Sequence, residues 1–432
     1  MNFFVKKIKN PLECSQSLNF IFYIIEFNMN YIIRNIGQLV TCSGFSAKHG
    51  KAMSDLGIIE NAAVVITKGI ISYIGSDTDD LPSDKDTDYE TIDAVGKAVL
   101  PGFIDSHTHF VFGGYREEEF SWRMRGDSYM SIMERGGGIY NTVKATQAAS
   151  FDELYAVAEA RLNKMAAMGV TTVEGKSGYG LDKETELKQL RVMQRLKREH
   201  RMDIVPAYLG AHAVPKGYSE NSYIDFMIEE MLPVIKEENL AECCDIFCEK
   251  GVFSIEASKR FLLKAQTMGF NLKLHADEIV NTGGAELAAS LGALSADHLL
   301  QISDKGIKAL AASNTVATLL PCTAFSLRED YARGRAMIDA GCAVALASDF
   351  NPGSCFTCSI PLTIALACQY MKLSPEEAVT ALTINAAAAL GKADTIGSID
   401  VGKKGNVIIL EYPSYKFLTY HFGMNCVERA IF

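Results

Sequence analysis

The chain has 432 residues, enough for one large domain with an accessory domain and too many for one small core. Hydrophobic residues make up 48% and charged residues 22%, the balance of a soluble globular protein. A net charge of −10 and a pI near 5.4 argue against nonspecific nucleic-acid binding, which needs cations to displace counterions; no long basic run offsets them.

Residues 1–28 hold an apolar run, LNFIFYIIEF, too short to span a bilayer and interrupted by Glu26. No small-residue cleavage site marks a signal peptide. The segment reads as an extension of little functional meaning, with a fresh start at Met29. Strands are predicted in 31–42 and 57–76, where Gly69 and Gly75 bound a short apolar run as turn residues. A polar loop follows at 76–90.

From residue 100 to about 350, short apolar runs alternate with helical segments. The runs are 103–106, 171–174, 204–209, 245–248, 272–275, 294–297, 316–320 and 344–348. They alternate poorly, as strands buried on both faces do. Ser150 and Glu153 form a capping box, Gly169 can close the helix they open, and Ser374, Pro375 and Glu377 start another. Eight βα units predict an α/β fold: a (β/α)8 TIM barrel over 99–393. A doubly wound sheet would want a glycine-rich loop after its first strand, where this chain has HTHFVFGG. Gly136, Gly137 and Gly138 follow no apolar run and make no phosphate cradle.

Strand and turn signals return in GSIDVGKKGNVIILEYPSY. Strands from both chain ends, 29–98 and 394–432, are expected to form one small β-sandwich-like domain. The ending YHFGMNCVERAIF reads as stopping short of a last strand, which would leave an open sheet edge. The odd count of 11 cysteines, the adjacent Cys243 and Cys244 and the lone CxxC of Cys355 and Cys358 point to reduced thiols, not a disulfide ladder or a zinc knuckle.

Barrel active sites lie at the C-terminal ends of the strands. His107 and His109 stand two apart in PGFIDSHTHF; on a strand over 102–109 both would face one space. His212, His275 and His298 follow or end strands 3, 5 and 6, and Asp349 ends strand 8. Five of the eight histidines thus fall on one rim, leaving His49, His200 and His421 to surface or packing roles. Imidazoles with a carboxylate suit a divalent ion such as zinc or ferrous iron. An ion so held makes hydroxide available near neutral pH.

PGFIDSHTH, HADE, the later His298 and the SD of strand 8 together resemble the amidohydrolase superfamily. RNIGQLVTC, GGYREEEF, KSGYGLD, AYLGAHAVP, CDIFCEKGVF and ALASDFNPGS narrow the resemblance to its imidazolonepropionase family, over residues 31–432. The resemblance implies a cytoplasmic, homodimeric enzyme of histidine breakdown, without nucleic-acid or membrane partners. Such an enzyme opens the ring amide of 4-imidazolone-5-propanoate to give N-formimidoyl-L-glutamate. It implies one zinc or iron ion on His107, His109, His275 and Asp349. Arg116 would bind the substrate carboxylate, and Tyr179 and His212 would line the pocket. Glu278 would hydrogen-bond the ring and shuttle a proton, His298 would contact the water or the oxyanion, and Asp349 is the candidate base beside the ion. Asn351, Gly353 and Ser354 would hold the glutamate-like end.

The residue types suit that chemistry. An arginine fork matches a propionate tail, and a leaving ring nitrogen needs a positioned acid. A deaminase of a cytosine- or guanine-like ring would share the metal ligands, but free bases lack the anionic tail that Arg116 and DFNPGS suit. A noncatalytic metal-binding barrel would need neither the acid nor the anion clamp. Other superfamily members bridge two metals with a modified lysine on strand 4. Here Lys250 lies just past that strand, facing away from Asp245 and Glu249, and Lys176 is expected after strand 2, so a single ion is expected.

Overall fold

The computed structural model describes residues 30–78, 81, 88–127, 135 and 137–432. The extension 1–28, Gly136 of the glycine triplet and much of the polar 76–90 loop lie outside them. Five strands come first: β1 (Tyr31–Val40), β2 (Ile58–Thr67), β3 (Ile70–Ser76), β4 (Glu90–Asp93) and β5 (Ala98–Pro101). Gly69 sits at φ +74° in the β2–β3 turn, whereas Gly75 lies inside β3 and makes no turn. Its neighbours pair with β2 across that position, Ile74 with Val64 and Ser76 with Ala62, so the ladder continues through it.

Eight strands follow: β6 (Phe103–Asp105), β7 (Val170–Lys176), β8 (Asp203–Ala211), β9 (Cys243–Cys248), β10 (Asn271–Ala276), β11 (Ser295–His298), β12 (Val316–Leu319) and β13 (Val344–Leu346). Each predicted apolar run falls on one of them. They pair in sequence order, all parallel. The first and last meet through a parallel bridge between Thr108 and Phe350, where the His109 N–H donates to Phe350 O at 2.9 Å. An open doubly wound sheet has no such contact between its edges, so the sheet closes as a TIM barrel.

Helices cover the barrel. Ser150 and Glu153 form the expected capping box of the helix Phe151–Ala167, and Gly169 follows its end at φ +85°. Leu154, Ala158, Leu162 and Met165 of that helix are buried, at the spacing of one helical face. The second capping box, Ser374 with Glu377, opens Pro375–Ala381.

β14 (Val407–Leu410) and β15 (Val427–Ile431) return to β5 and complete a seven-stranded sheet ordered β15-β14-β5-β1-β2-β3, with β4 beside β1. The residues Val427–Ile431 supply the outer strand, β15, antiparallel to β14. A separate apolar core fills this sheet, including Ile33, Ile36, Val64, Ile66, Val407 and Ile409. The ten cysteines among the described residues are free thiols. Among the same residues no helix is long and apolar enough to cross a membrane.

β6 ends at Asp105, not at 109 as the alternation suggested. Its neighbour β13 ends at Leu346, so the ladder between them shrinks to the Thr108 bridge. Asp105 secures this closure: Oδ2 accepts from the Ser348 hydroxyl at 2.6 Å and Oδ1 from the Ser348 N–H at 3.0 Å. Asp105→Ala leaves two buried donors unpaired and should lower the unfolding free energy by about 2–4 kcal/mol. A urea titration reads this as a lower midpoint, and an unchanged midpoint would refute the role.

Candidate active site

The barrel's C-terminal rim gathers the predicted residues. His107 Nε2 and His109 Nε2 lie 3.6 and 3.5 Å from Asp349 Oδ1. Two ligands each ~2.1 Å from one tetrahedral ion stand about that far apart. The His275 ring lies 4.5 Å from that of His107 and 5.1 Å from that of His298. His107 joins His109 and Asp349 in one set of converging donors and His275 and His298 in another. His107 Nε2 is buried without a hydrogen-bond partner. The donor set therefore fits a divalent cation.

The free ring nitrogens are aimed by carboxylates behind them. Asp297 Oδ2 lies 2.6 Å from His107 Nδ1, and Asp245 Oδ2 lies 3.1 Å from His275 Nδ1. At His107 the carboxylate accepts, so Nδ1 carries hydrogen and Nε2 is left as a lone pair toward the site, while Asp245 stands beside His275 Nδ1. Burial drives the pKa of His107 well below its usual value, helped by Lys176 and the other imidazoles. His275 falls to about 4 through burial, although Asp245 opposes the shift. Both rings are neutral at pH 7, the state that binds metal.

Under these histidines lies a buried ion cluster that sequence reasoning missed. Lys176 Nζ is 2.6 Å from Asp245 Oδ2, 3.0 Å from Glu174 Oε1 and 3.7 Å from Asp297 Oδ2. Lys273 Nζ is 2.9 Å from Glu174 Oε2 and donates to Ser106 O at 2.8 Å. Burial opposes the charge on Lys176, but Asp245, Glu174 and Asp297 outweigh it and raise its pKa. Lys176 is the last residue of β7, not a residue after it, and faces the interior. A signal was present: charged residues inside otherwise apolar parallel strands, as in VTTVEGK and NLKLHA, must find partners. Lys250, by contrast, is exposed.

The chain turns sharply where β11 and β13 finish. His298 and Asp349 take φ of +77° and +52°, a conformation that costs a residue with a Cβ of order 1 kcal/mol. Asp349 is held there by its N–H to His107 O at 3.0 Å and by the Thr323 hydroxyl, which donates to Oδ2 at 2.6 Å. Burial opposes ionisation of Asp349, but hydrogen bonding and charge from His109 and His298, with Thr323, bring its pKa to about 2. Glu278 Oε1 lies 3.5 Å from His298 Nδ1. Burial raises the Glu278 pKa; His298 opposes the shift, while Asp349 and Glu249 add to it. Asp277 beside it, at φ +50°, accepts backbone N–H bonds from Thr282, Gly283, Gly284 and Ala285, which fixes the turn that presents Glu278.

A cavity of about 670 Å³ opens above these groups, lined by Arg116, Tyr179, His212, Glu278, Asn351, Gly353 and Ser354 among others. The His212 ring stacks on His109 at 5.2 Å, and its Nδ1 donates to Gly178 O at 3.1 Å, leaving Nε2 without that proton. Tyr179 is presented by a loop whose Gly178, Gly180 and Leu181 N–H groups all bond to Glu186. Asn351 shapes its own loop. Its Nδ2 donates to Asp349 O and Ser354 Oγ, and its Oδ1 accepts from the Gly353 and Ser354 N–H groups. A Cβ on Gly353 would come within 2.2 Å of Arg116 Nη1, so glycine permits that close approach.

Residues 270–429 match the amidohydrolase family. An imidazolonepropionase of Parabacteroides distasonis is 63% identical, over 94% of this chain and 98% of its own. Those of Bacteroides thetaiotaomicron and Clostridium tetani are 64% and 61% identical, each over 93% of this chain and 97% and 96% of their own. The chain belongs to the imidazolonepropionase family. Solved structures share its fold: an atrazine chlorohydrolase of Arthrobacter aurescens complexed with zinc and atraton has a TM-score of 0.72 at 16% identity over 93% of both chains. A guanine deaminase of C. acetobutylicum has a TM-score of 0.69 at 16% identity, over 93% of this chain and 98% of that one.

In this imidazolonepropionase family member the rim histidines depend on the cluster beneath them. Lys176→Met leaves Glu174, Asp245 and Asp297 facing Lys273 alone and should cost about 3–5 kcal/mol of stability. Urea unfolding measures it, and a midpoint equal to that of the parent would show that the cluster is dispensable.

Proposed function

We propose that the chain hydrolyses 4-imidazolone-5-propanoate to N-formimidoyl-L-glutamate in L-histidine degradation. The observation that carries this reading is near-complete coverage at 63% identity by a relative of that name, together with a rim that sets metal donors beside an acid and an arginine. His107, His109, His275 and Asp349 would hold one divalent ion, zinc or iron. When bound, such an ion supplies Lewis acidity and acidifies water.

The chain's own groups do the rest. Arg116 holds the propionate tail, and Tyr179 and His212 flank the ring. Hydrolysis joins the oxygen of water to the ring carbonyl carbon and breaks the C–N bond. One proton of the water passes to the departing nitrogen, and the new carboxyl group loses the other. Glu278 suits that shuttle, because burial raises its pKa above the usual carboxylate range and its Oε1 lies 3.5 Å from His298 Nδ1 at the rim. Asp349, held ionised against its burial by His109, His298 and Thr323, is the candidate base beside the ion. His298, whose ring nitrogens are buried without partners, faces the oxyanion. Asn351, Gly353 and Ser354 form the loop against the substrate's glutamate-like end. The same resemblance supports a cytoplasmic homodimer acting on a small molecule.

The test is the loss of the imidazolone ring's ultraviolet absorbance. The parent chain should consume 4-imidazolone-5-propanoate. His275→Ala, or the parent stripped by a chelator, should not, and returning zinc or ferrous iron should restore only the stripped parent. A folded, metal-loaded parent that leaves the ring intact would overturn the reading. Glu278→Gln should lower kcat by about 10²- to 10⁴-fold with a smaller change in KM. Near-parental kcat in that variant would remove Glu278 from the proton path.

A further inference from the structure

Two arginines of one helical face line the cavity. Arg116 precedes the helix Glu117–Met124, and Arg123 lies two turns on. They differ in how their charge is met. Arg116 Nε and Nη2 both lie against Glu119 Oε2, at 2.9 and 2.8 Å. Glu119 is further fixed by the Gly138 N–H at 2.9 Å and by Asn141 Nδ2 at 3.0 Å. The charge of Arg116 is thus already balanced inside the protein.

Arg123 has no such counterion among the described residues. Asp127 of the same cavity is paired with Arg135 at 2.9 Å. Arg123 makes only long contacts, from Nη1 and Nη2 to Gly353 O at 3.4 and 3.5 Å, and lies 5.3 Å from the Phe120 ring centre. Its Nε is buried and unbonded. Burial, with Arg116 and Arg328 nearby, pushes its pKa down against the pull of Glu119, so the site disfavours the cation it contains. A half-buried guanidinium with unmatched donors, opening on a ligand cavity, is completed by an anion.

We propose that Arg123 binds the carboxylate of the substrate's tail together with Arg116, and that Arg123 sets the preference for an anionic tail. This rests on the function proposed above. Arg116 then orients the tail from a fixed seat on Glu119, while Arg123 supplies the uncompensated charge. Gly353, whose carbonyl both Nη atoms of Arg123 approach, links this charge to the loop that Asn351 shapes.

The test measures binding of imidazole-4-propanoate and of its uncharged amide to the full metal-loaded chain by calorimetry. The parent should favour the carboxylate. In Arg123→Met that preference should fall by about tenfold to a hundredfold with the amide's affinity unchanged, since hydrogen bonds to charged groups have that worth. Arg123→Lys should keep part of it. Unchanged preference in Arg123→Met would overturn the proposal, and so would equal weakening of both ligands, which marks a residue that only shapes the loop. A parent that turns over 4-imidazolone-5-propanoate while Arg123→Met keeps its preference sinks this inference alone. A parent with no turnover and no preference sinks the function as well.

Discussion

Five charged side chains sealed inside the barrel are what the rim stands on. Lys176 and Lys273 neutralise two of the three carboxylates of Glu174, Asp245 and Asp297, and the excess negative charge faces Nδ1 of His107 and of His275. Each member would be intolerable alone in a low-dielectric interior, so the cluster persists as a unit. Its outward effect is to choose a tautomer. With its Nδ1 committed to Asp297, the His107 imidazole offers its remaining lone pair to the site, in a fixed direction and uncharged at neutral pH. The positioning of a cation would thus begin one layer beneath the residues proposed to hold it.

Backbone strain contributes the second half of the geometry. His298 and Asp349 both turn into the left-handed region where their strands finish. Regular continuation would alternate their side chains away from the axis. The turn keeps them over the mouth, and the Asp349 amide bonded to His107 O shows what retains it. On the opposite wall, Glu186 gathers three amides to present Tyr179, and Asp277 gathers four to present Glu278. In both, a buried carboxylate holds a loop whose neighbouring side chain faces the cavity.

Much of this was legible in the chain. All eight barrel strands show as apolar runs because strands buried on both faces leave little choice of residue. The capping boxes at Ser150 and Ser374 show because their hydrogen bonds are local. The rim histidines stand out because histidine is scarce and strand ends are easily placed. What stayed hidden is pairing across the sequence. Nothing near Arg116 says whether Glu117, Glu118 or Glu119 takes its charge, and nothing near Lys176 names Asp245 as its partner. The reach of β6 was overestimated for the same reason, since a strand lasts only as long as its neighbour does. The outer strand β15 was not singled out because VERAI is short and carries an exposed charged pair, Glu428 and Arg429, at its centre.

The closing bridge between Thr108 and Phe350 also has a meaning in time. His107 and His109 leave the ribosome early, His275 much later, and Asp349 near the end of the barrel. The sheet that joins the chain ends needs residues 407–431 as well. A growing chain therefore carries its first two imidazoles through most of synthesis without Asp297, which orients His107, or the partner strand that closes over them. A fragment released before Asp349 would still hold His107, His275 and His298 but would lack the carboxylate that converges with His107 and His109.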